Sequence, residues 1–358
     1  MKQSIGVLGV GSYVPPEVRG NDWWPEHVVA RWQEKAGRRL EKLRAEFAKD
    51  ENPGAKLSLA AIEALKSDPF QGGRERRVMP PGMNASDMET MAAREAVERS
   101  GVDPNEIDAV LSYVICPDFI NVPSACVVQA NLGLKERTVA MNVDAVCNSF
   151  AMQMSMARGL IASGQARQVL ITQASAMSRL PQSGELFDNW FGDAATALVL
   201  GPVSEGRGIL SQSHHVDGKL HGAFVCGVPG KRWYDDMCVA YSEDHKAHLD
   251  MLVRITDRAR QVVDEALADA GLDHRAVDFY ACHQAFRWLR EVTQEHTGLT
   301  GARFVDHFHW TGTVSAANLP LQLAIGEKEG LLKPGDVIAT FQGGTGMTWS
   351  SMVMRWGK

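Results

Sequence analysis

Apolar residues recur along this chain at two periods, and the order in which those periods alternate predicts the architecture. Short apolar runs at 5–11, 109–114, 139–143, 169–173 and 196–200 read as strands, with helical segments between them. From Gly208 the pattern starts again with strand-like Ile209-Leu210-Ser211. A long helix follows, whose one face carries Leu249, Leu252, Val253, Thr256, Ala259, Val262, Val263, Ala266 and Leu267. Strands at 277–281 and 337–341 and helices around 286–295 and 316–329 complete this second part. Alternating β and α predicts a layered α/β fold. The restart predicts two similar halves, 1–203 and 204–358, with a site where strand ends from both halves meet.

Two local patterns qualify that picture. Residues 27–78 are the most charged stretch, yet Trp32, Ala36, Leu40, Leu43 and Phe47 fall at helical spacing, and Leu59, Ile62 and Leu65 repeat it. This predicts an amphipathic helical insert, read first as a surface pair of helices and second as a lid or wall over a substrate tunnel. Ser86-Asp87-Met88-Glu89 reads as a capping box opening a helix that Gly101 and Pro104 end.

Composition narrows the function classes. With 358 residues and 45% hydrophobic residues the chain has ample material for sizeable cores. A net charge of -6 with 22% charged residues favours neither a nucleic acid nor an anionic membrane as a global partner. The first residues lack a signal peptide's apolar core and no run approaches a transmembrane length, which places the expected location in the cytoplasm. Six cysteines show no C-x-x-C pair, so neither a zinc knuckle nor a disulfide framework is indicated, and reduced thiols are expected. Gly9-x-Gly11 begins like a dinucleotide fingerprint, but the third glycine is missing and Pro15-Pro16 stand where the helix should start.

The candidate chemistry centres on Asp144-Ala145-Val146-Cys147. Cys147 lies between a strand-like and a helix-like run, so its sulfur is expected at a helix N-terminus, where unpaired N–H groups and the helix dipole favour thiolate. Such a cysteine attacks a thioester carbonyl and carries the acyl group; the plainer reading is an inert buried thiol. His283 ends a predicted strand and, paired with Cys147, would move protons and donate to a developing oxyanion. Gly343-Gly344-Thr345-Gly346 brings backbone N–H groups near a ligand, so Gly344 and Gly346 join the Cys147 amide as oxyanion-hole candidates, although a plain hairpin looks the same. A metal reading of His307-x-His309 lacks further ligands nearby, and no metal is expected.

Several ordered motifs together resemble those of the β-ketoacyl-acyl carrier protein synthase III enzymes of the thiolase superfamily. They are Val122-Pro123-Ser124-Ala125, Asp144-Ala145-Val146-Cys147, Phe191-Gly192-Asp193-Ala194, His215-Val216-Asp217-Gly218, His283-Gln284-Ala285, Ser315-Ala316-Ala317, Lys333-Pro334-Gly335 and Thr348-Trp349-Ser350. The resemblance spans nearly the whole chain outside the 27–78 insert. It implies a duplicated thiolase-like fold in five α/β/α/β/α layers, a homodimer, no permanently bound cofactor, and a Cys147 acylated by a coenzyme A or carrier-protein thioester.

The departures from that family are informative. Its histidine motif ends in asparagine where this chain has Phe286, and its catalytic asparagine falls on Thr313. A hydroxyl is a less committed donor than an amide, so Thr313 is expected to be a poorer partner for an enolate oxygen; Asn318, His307 or His309 are the candidate stand-ins. Lys66 and Phe70 occupy the places of the family's adenine clamp. This opens a carrier-protein donor beside coenzyme A, its acidic surface meeting Arg74, Arg76, Arg77, Arg287 or Arg290; the plainer reading of each is a solvated surface arginine. Asn148, Phe286, Phe187 and Trp190 are candidate substrate contacts, and Phe119, Phe224 and Trp233 further candidates for tunnel walls.

The expected function is a synthase III-like acyltransferase passing an acyl group from Cys147 to a small-molecule carbon or heteroatom nucleophile in specialised metabolism. Loss of the asparagine tilts the expectation slightly toward chemistry that need not decarboxylate malonyl. The alternatives are a decarboxylative ketosynthase of fatty-acid or polyketide assembly and a non-catalytic partner subunit.

Overall fold

The computed structural model describes residues 3–358. Its first half contains β1 (Ile5–Tyr13), β2 (Glu17–Gly20), α1 (Glu26–Phe47), α2 (Pro53–Ala64), β3 (Glu75–Val78), α3 (Ala85–Ser100), β4 (Ile107–Ile115), α4 (Ser124–Leu132), β5 (Val139–Asn142), α5 (Ser149–Ala162), β6 (Gln168–Ala176) and β7 (Asp193–Pro202). The second contains β8 (Gly208–Val216), β9 (Val225–Gly227), β10 (Val239–Tyr241), α6 (His245–Asp269), β11 (Phe279–Cys282), α7 (Leu289–His296), α8 (Phe308–Thr311), α9 (Asn318–Lys328), β12 (Val337–Gly344) and β13 (Thr348–Arg355).

Two sheets carry the fold, one of five strands in the order β1-β7-β6-β4-β5 and one of four in the order β11-β12-β13-β8. Helices α3 and α4 cover the outer face of the first sheet, α5 and α9 lie between the sheets, and α6 and α7 cover the outer face of the second. That is the five-layered α/β/α/β/α arrangement. One apolar core, with Phe150, Met154, Leu319 and Leu323 at its centre, fills the space between the sheets. Strands β6 and β7 are buried on both faces, which explains why their sequences read as continuous apolar runs.

The insert packs more deeply than a surface pair. All five residues predicted for the α1 face are buried, and they join the core shared with α6 and β12. On α2 the buried positions are Gly54, Ala55, Ser58 and Ile62, because Ser58 hydrogen-bonds Thr256 of α6 at 2.7 Å and turns the helix so that Leu59 and Leu65 are only half-buried. The insert lines three clefts flanking the apolar cavity described below, so it is a wall, though not of that cavity itself.

One sequence expectation, the position of the capping box, is corrected. The helix cap is Asn84, whose N–H donates to Asp87 Oδ2 at 2.8 Å; Ser86 and Glu89 lie inside α3, buried against the sheet. Glycines 9 and 11 belong to the middle of β1. A Cβ at either would collide with the α3 backbone, at Ala96 and Ala92 respectively, so close helix–strand packing is why they are glycine. Among the described residues no helix is long and apolar enough to cross a membrane.

Candidate active site

The turn Val146–Asn148 joins β5 to α5 and places Cys147 two residues before the first residue of that 14-residue helix. Val146 adopts φ 52°, a strained value for a β-branched residue. The turn is held by Asp144 Oδ1, which accepts from the Val146 N–H, and by Ser149 Oγ, which accepts from the Ala145 N–H, both at 2.8 Å. From the other half, Gly344 of β12 approaches so closely that a Cβ there would lie 2.8 Å from Ala145 O and from Asn148 N. The ends of strands from both halves thus meet at the sulfur.

His283 follows directly on β11, its N–H bonded to Phe341 O at 2.8 Å. Thr313 and Ser315 come from the loop between α8 and α9, and the Ser315 hydroxyl lies 3.4 Å from the Cys147 sulfur. Cys147, His283, Thr313, Ser315, Gly344 and Thr345 share one cavity of about 100 Å³. Ile115, Phe187, Trp190, Phe224, Met251 and Phe286 supply much of its apolar wall.

Asn318, the first residue of α9, is fully buried and does not line that cavity; it stands behind it. Its Oδ1 accepts from the Val314 N–H at 3.1 Å, which fixes the orientation of the amide. Its Nδ2 therefore faces His283 Nδ1 at 3.0 Å and Thr313 Oγ1 at 2.9 Å, and donates to both. An Nδ1 that accepts leaves the imidazole proton on Nε2. Thr313 Oγ1, accepting from Asn318, keeps its own O–H free for a ligand. Asn318 is in turn held by its carbonyl, which accepts from His307 Nε2 at 3.2 Å.

The electrostatics describe a neutral resting pair. Burial pushes the Cys147 thiol up to about 11, and hydrogen bonds from Ser315 and its own backbone N–H offset only part of that rise. The expectation that the helix end would favour a resting thiolate is therefore overridden by desolvation. Burial, aided by the neighbouring His307, lowers His283 to about 3, so the imidazole is uncharged across the physiological range.

Other sequence candidates fall elsewhere. Asn148 faces away from the cavity and tethers the turn to β13 through Thr348 and Ser350, because its amide is buried against that strand. Gly346 has φ 127° and lies outside the cavity lining, whereas Gly344 is in it. Phe187, Trp190, Phe224 and Phe286 line the cavity, but Phe119 and Trp233 are more than half exposed on loops. Arg290 is buried in a two-point bond with Asp306 at 2.8 and 2.9 Å and is unavailable for docking, and Arg76 is fully buried against Asn189 and Asn21. Arg74 and Arg287 do face a surface cleft, together with Trp288 and His309. Between that cleft and the apolar cavity Phe286 and Trp288 stack with centroids 5.4 Å apart. His307 is buried and bonded within the loop, and among the described residues no group of three metal-ligating side chains occurs. Sequence reasoning did not single out Ser315 or Tyr113, a buried residue of β4. Ser315 was visible only as part of a motif, and Tyr113 as one apolar residue in a strand.

Comparison with known proteins agrees with this fold. Residues 141–218 match the family model for 3-oxoacyl-[acyl-carrier-protein] synthase III, and residues 267–356 match the model for its C-terminal domain. The 3-oxoacyl-[acyl-carrier-protein] synthase III of Aquifex aeolicus superposes with a TM-score of 0.77 at 24% identity, over 98% of this chain and 100% of that one. OleA of Xanthomonas campestris, solved with lauric acid and lauroyl-CoA, gives 0.75 at 18% identity over 99% of this chain and 100% of its own. The priming β-ketosynthase of the R1128 polyketide pathway gives 0.75 at 23% over 100% of this chain and 97% of its own.

Proposed function

We propose, for a chain that belongs to the synthase III-like members of the thiolase superfamily, that it is an acyl-transferring condensing enzyme working through an acyl-enzyme on Cys147. In the first half-reaction the Cys147 sulfur forms a bond to the thioester carbonyl and the donor thiolate leaves. The proton lost by Cys147 is taken up by that thiolate, so the exchange is neutral overall. The acyl chain then occupies the apolar cavity. Its thioester arrives on coenzyme A or a carrier protein through the cleft bearing Arg74 and Arg287.

The observation that carries the second half-reaction is the double donation by Asn318. It leaves an Nε2–H on His283 and a free O–H on Thr313, two residues that line one cavity with the sulfur. Two donors suit a carbonyl oxygen that becomes an enolate as malonyl loses carbon dioxide. A heteroatom acceptor would instead need a base to remove its proton, and the His283 Nε2 already carries one. The geometry therefore favours a carbon acceptor, against the slight tilt that the threonine alone suggested. The condensation forms a carbon–carbon bond to the acyl carbon and returns Cys147 as the leaving thiolate, which recovers a proton.

Intact-protein mass after exposure to acyl thioesters on coenzyme A and on carrier protein tests the first step. Wild type should gain the acyl mass and Cys147→Ala should not. Release of carbon dioxide from malonyl thioester, dependent on His283, tests the second. Acylation without any release would support a heteroatom acceptor, and an unmodified wild type across the donor panel would favour a non-catalytic partner subunit.

A further inference from the structure

Behind the acyl cavity lies a second cleft with a basic wall. It encloses about 360 Å³ between α1, the turn around Glu185 and the start of α6. Lys35, Arg38, Arg39 and Lys42 line it from α1, at a spacing that keeps all four on one helix face. Two of these charges are already answered, Lys35 by Glu185 and Arg38 by Glu34, each at 3.0 Å. Arg39 and Lys42 have no carboxylate within ion-pair distance among the described residues.

Arg39 is the unusual member. Its Nε is closed to solvent and has no acceptor, and its guanidinium lies over the Trp190 ring, 5.8 Å from the centroid. Burial pulls its pKa down to about 10, which leaves it charged near neutrality. The Ser242 hydroxyl in the same cleft is likewise buried without a partner. Desolvated donors without acceptors are costly, and an anion that reached either donor would lower its cost.

The cleft and the acyl cavity share a wall one side chain thick. Phe187 and His248 line both spaces, with ring centroids 6.3 Å apart. His248 is buried, and its Nδ1–H donates to Ala223 O at 3.1 Å. Centroids this close leave no room for a methylene chain, so a chain that runs from the acyl cavity toward Arg39 has to part Phe187 and His248.

We infer that the cleft receives the free carboxylate of an acyl group whose other end is bound to Cys147. The preferred donor is thus the thioester of an α,ω-dicarboxylic acid, with Arg39 as the carboxylate's main partner and Lys42 and Ser242 beside it. The planar guanidinium fork suits a carboxylate, and its depth suits the end of a small molecule better than the surface of a protein. This inference rests on the reading of Cys147 as the acyl carrier.

The test compares Cys147 acylation by matched thioesters of equal length ending in methyl, carboxamide or carboxylate, followed over time by intact mass. Wild type should prefer carboxylate over methyl by at least about tenfold, the size expected for one charge-assisted hydrogen bond. That ratio should collapse in Arg39→Gln and recover in part in Arg39→Lys. Calorimetry on Cys147→Ala with free dicarboxylates reads the cleft without any acylation, and binding should weaken about tenfold when Arg39→Gln is added. A wild-type preference for methyl ends at every length, a ratio unchanged in Arg39→Gln, or dicarboxylates that do not bind would each overturn the inference. Inorganic phosphate binding through Arg39 while dicarboxylates fail would overturn it in favour of a phosphate site. If no thioester acylates Cys147, the acyl-enzyme reading fails, and calorimetry still decides the cleft.

Discussion

At the residue scale, Asn318 lies five positions beyond the Thr313 that stands where the resembled family has asparagine, and it bonds His283 and Thr313 without lining the cavity. In the proposed mechanism Asn318 holds His283 and Thr313 as donors, which makes it a positioning residue. Asn318→Asp should reverse both orientations, since a carboxylate accepts from Nδ1–H and from the threonine hydroxyl. Decarboxylation should then fall by roughly 10²–10³, the cost of losing such donors, with the KM for the acyl donor little changed. Asn318→Ala, which loosens the donors without reversing them, should lose less. Nitrogen NMR of the imidazole should show Nε2–H in wild type and Nδ1–H in Asn318→Asp; an unchanged tautomer would refute the mechanism. Motif order named Cys147, His283 and Thr313 as candidates, and the fold brings the three to one cavity. Asn318 could be named as a candidate only, because its role depends on where the end of α9 lies in space.

At the element scale, legibility followed burial. Helices α1 and α6 each bury one face, so their periodicity named the buried residues correctly. Strand β13 is buried on both faces between helices, shows no alternation, and escaped the periodic reading. Helix α3 holds the least expected element contact. Glu89, read as part of a cap, is fully buried and accepts from Ser112 at 2.7 Å and Thr172 at 2.6 Å, and also from Ser124. Burial raises its pKa from 4.5 to about 7 despite these bonds. A carboxyl raised on folding contributes stability in full below its unfolded pKa and loses it as pH rises through the folded value. From pH 5 to 8 this contribution should therefore decline, by about 2–3 kcal/mol. Glu89→Gln keeps acceptors for two hydroxyls and removes the titration. Its stability relative to wild type should grow across that range by about the same amount, read as denaturant midpoints at pH 5 and pH 8. A difference independent of pH would show that Glu89 is already ionised in the fold.

At the scale of the whole molecule, the exposed apolar surface carries a prediction, that two chains pair. Strand β5 pairs only with β4, and its other edge ends the five-stranded sheet. Its Val139 is 47% exposed, and the loop that follows the parallel strand β4 exposes Phe119 by 58% and Ile120 by 82%. An open strand edge beside large exposed apolar side chains invites pairing, and a two-fold axis lets the same edge serve both chains and closes the assembly at two. Phe119, a sequence candidate for a tunnel wall, would find cover at such an interface. Sedimentation equilibrium should give twice the mass of the chain. Val139→Lys combined with Ile120→Asp places unpaired charges on that surface and should yield monomers with unchanged far-ultraviolet dichroism. A wild type that sediments as a monomer at micromolar concentration would overturn the prediction, and a dimer undisturbed by the double substitution would place the interface on another face.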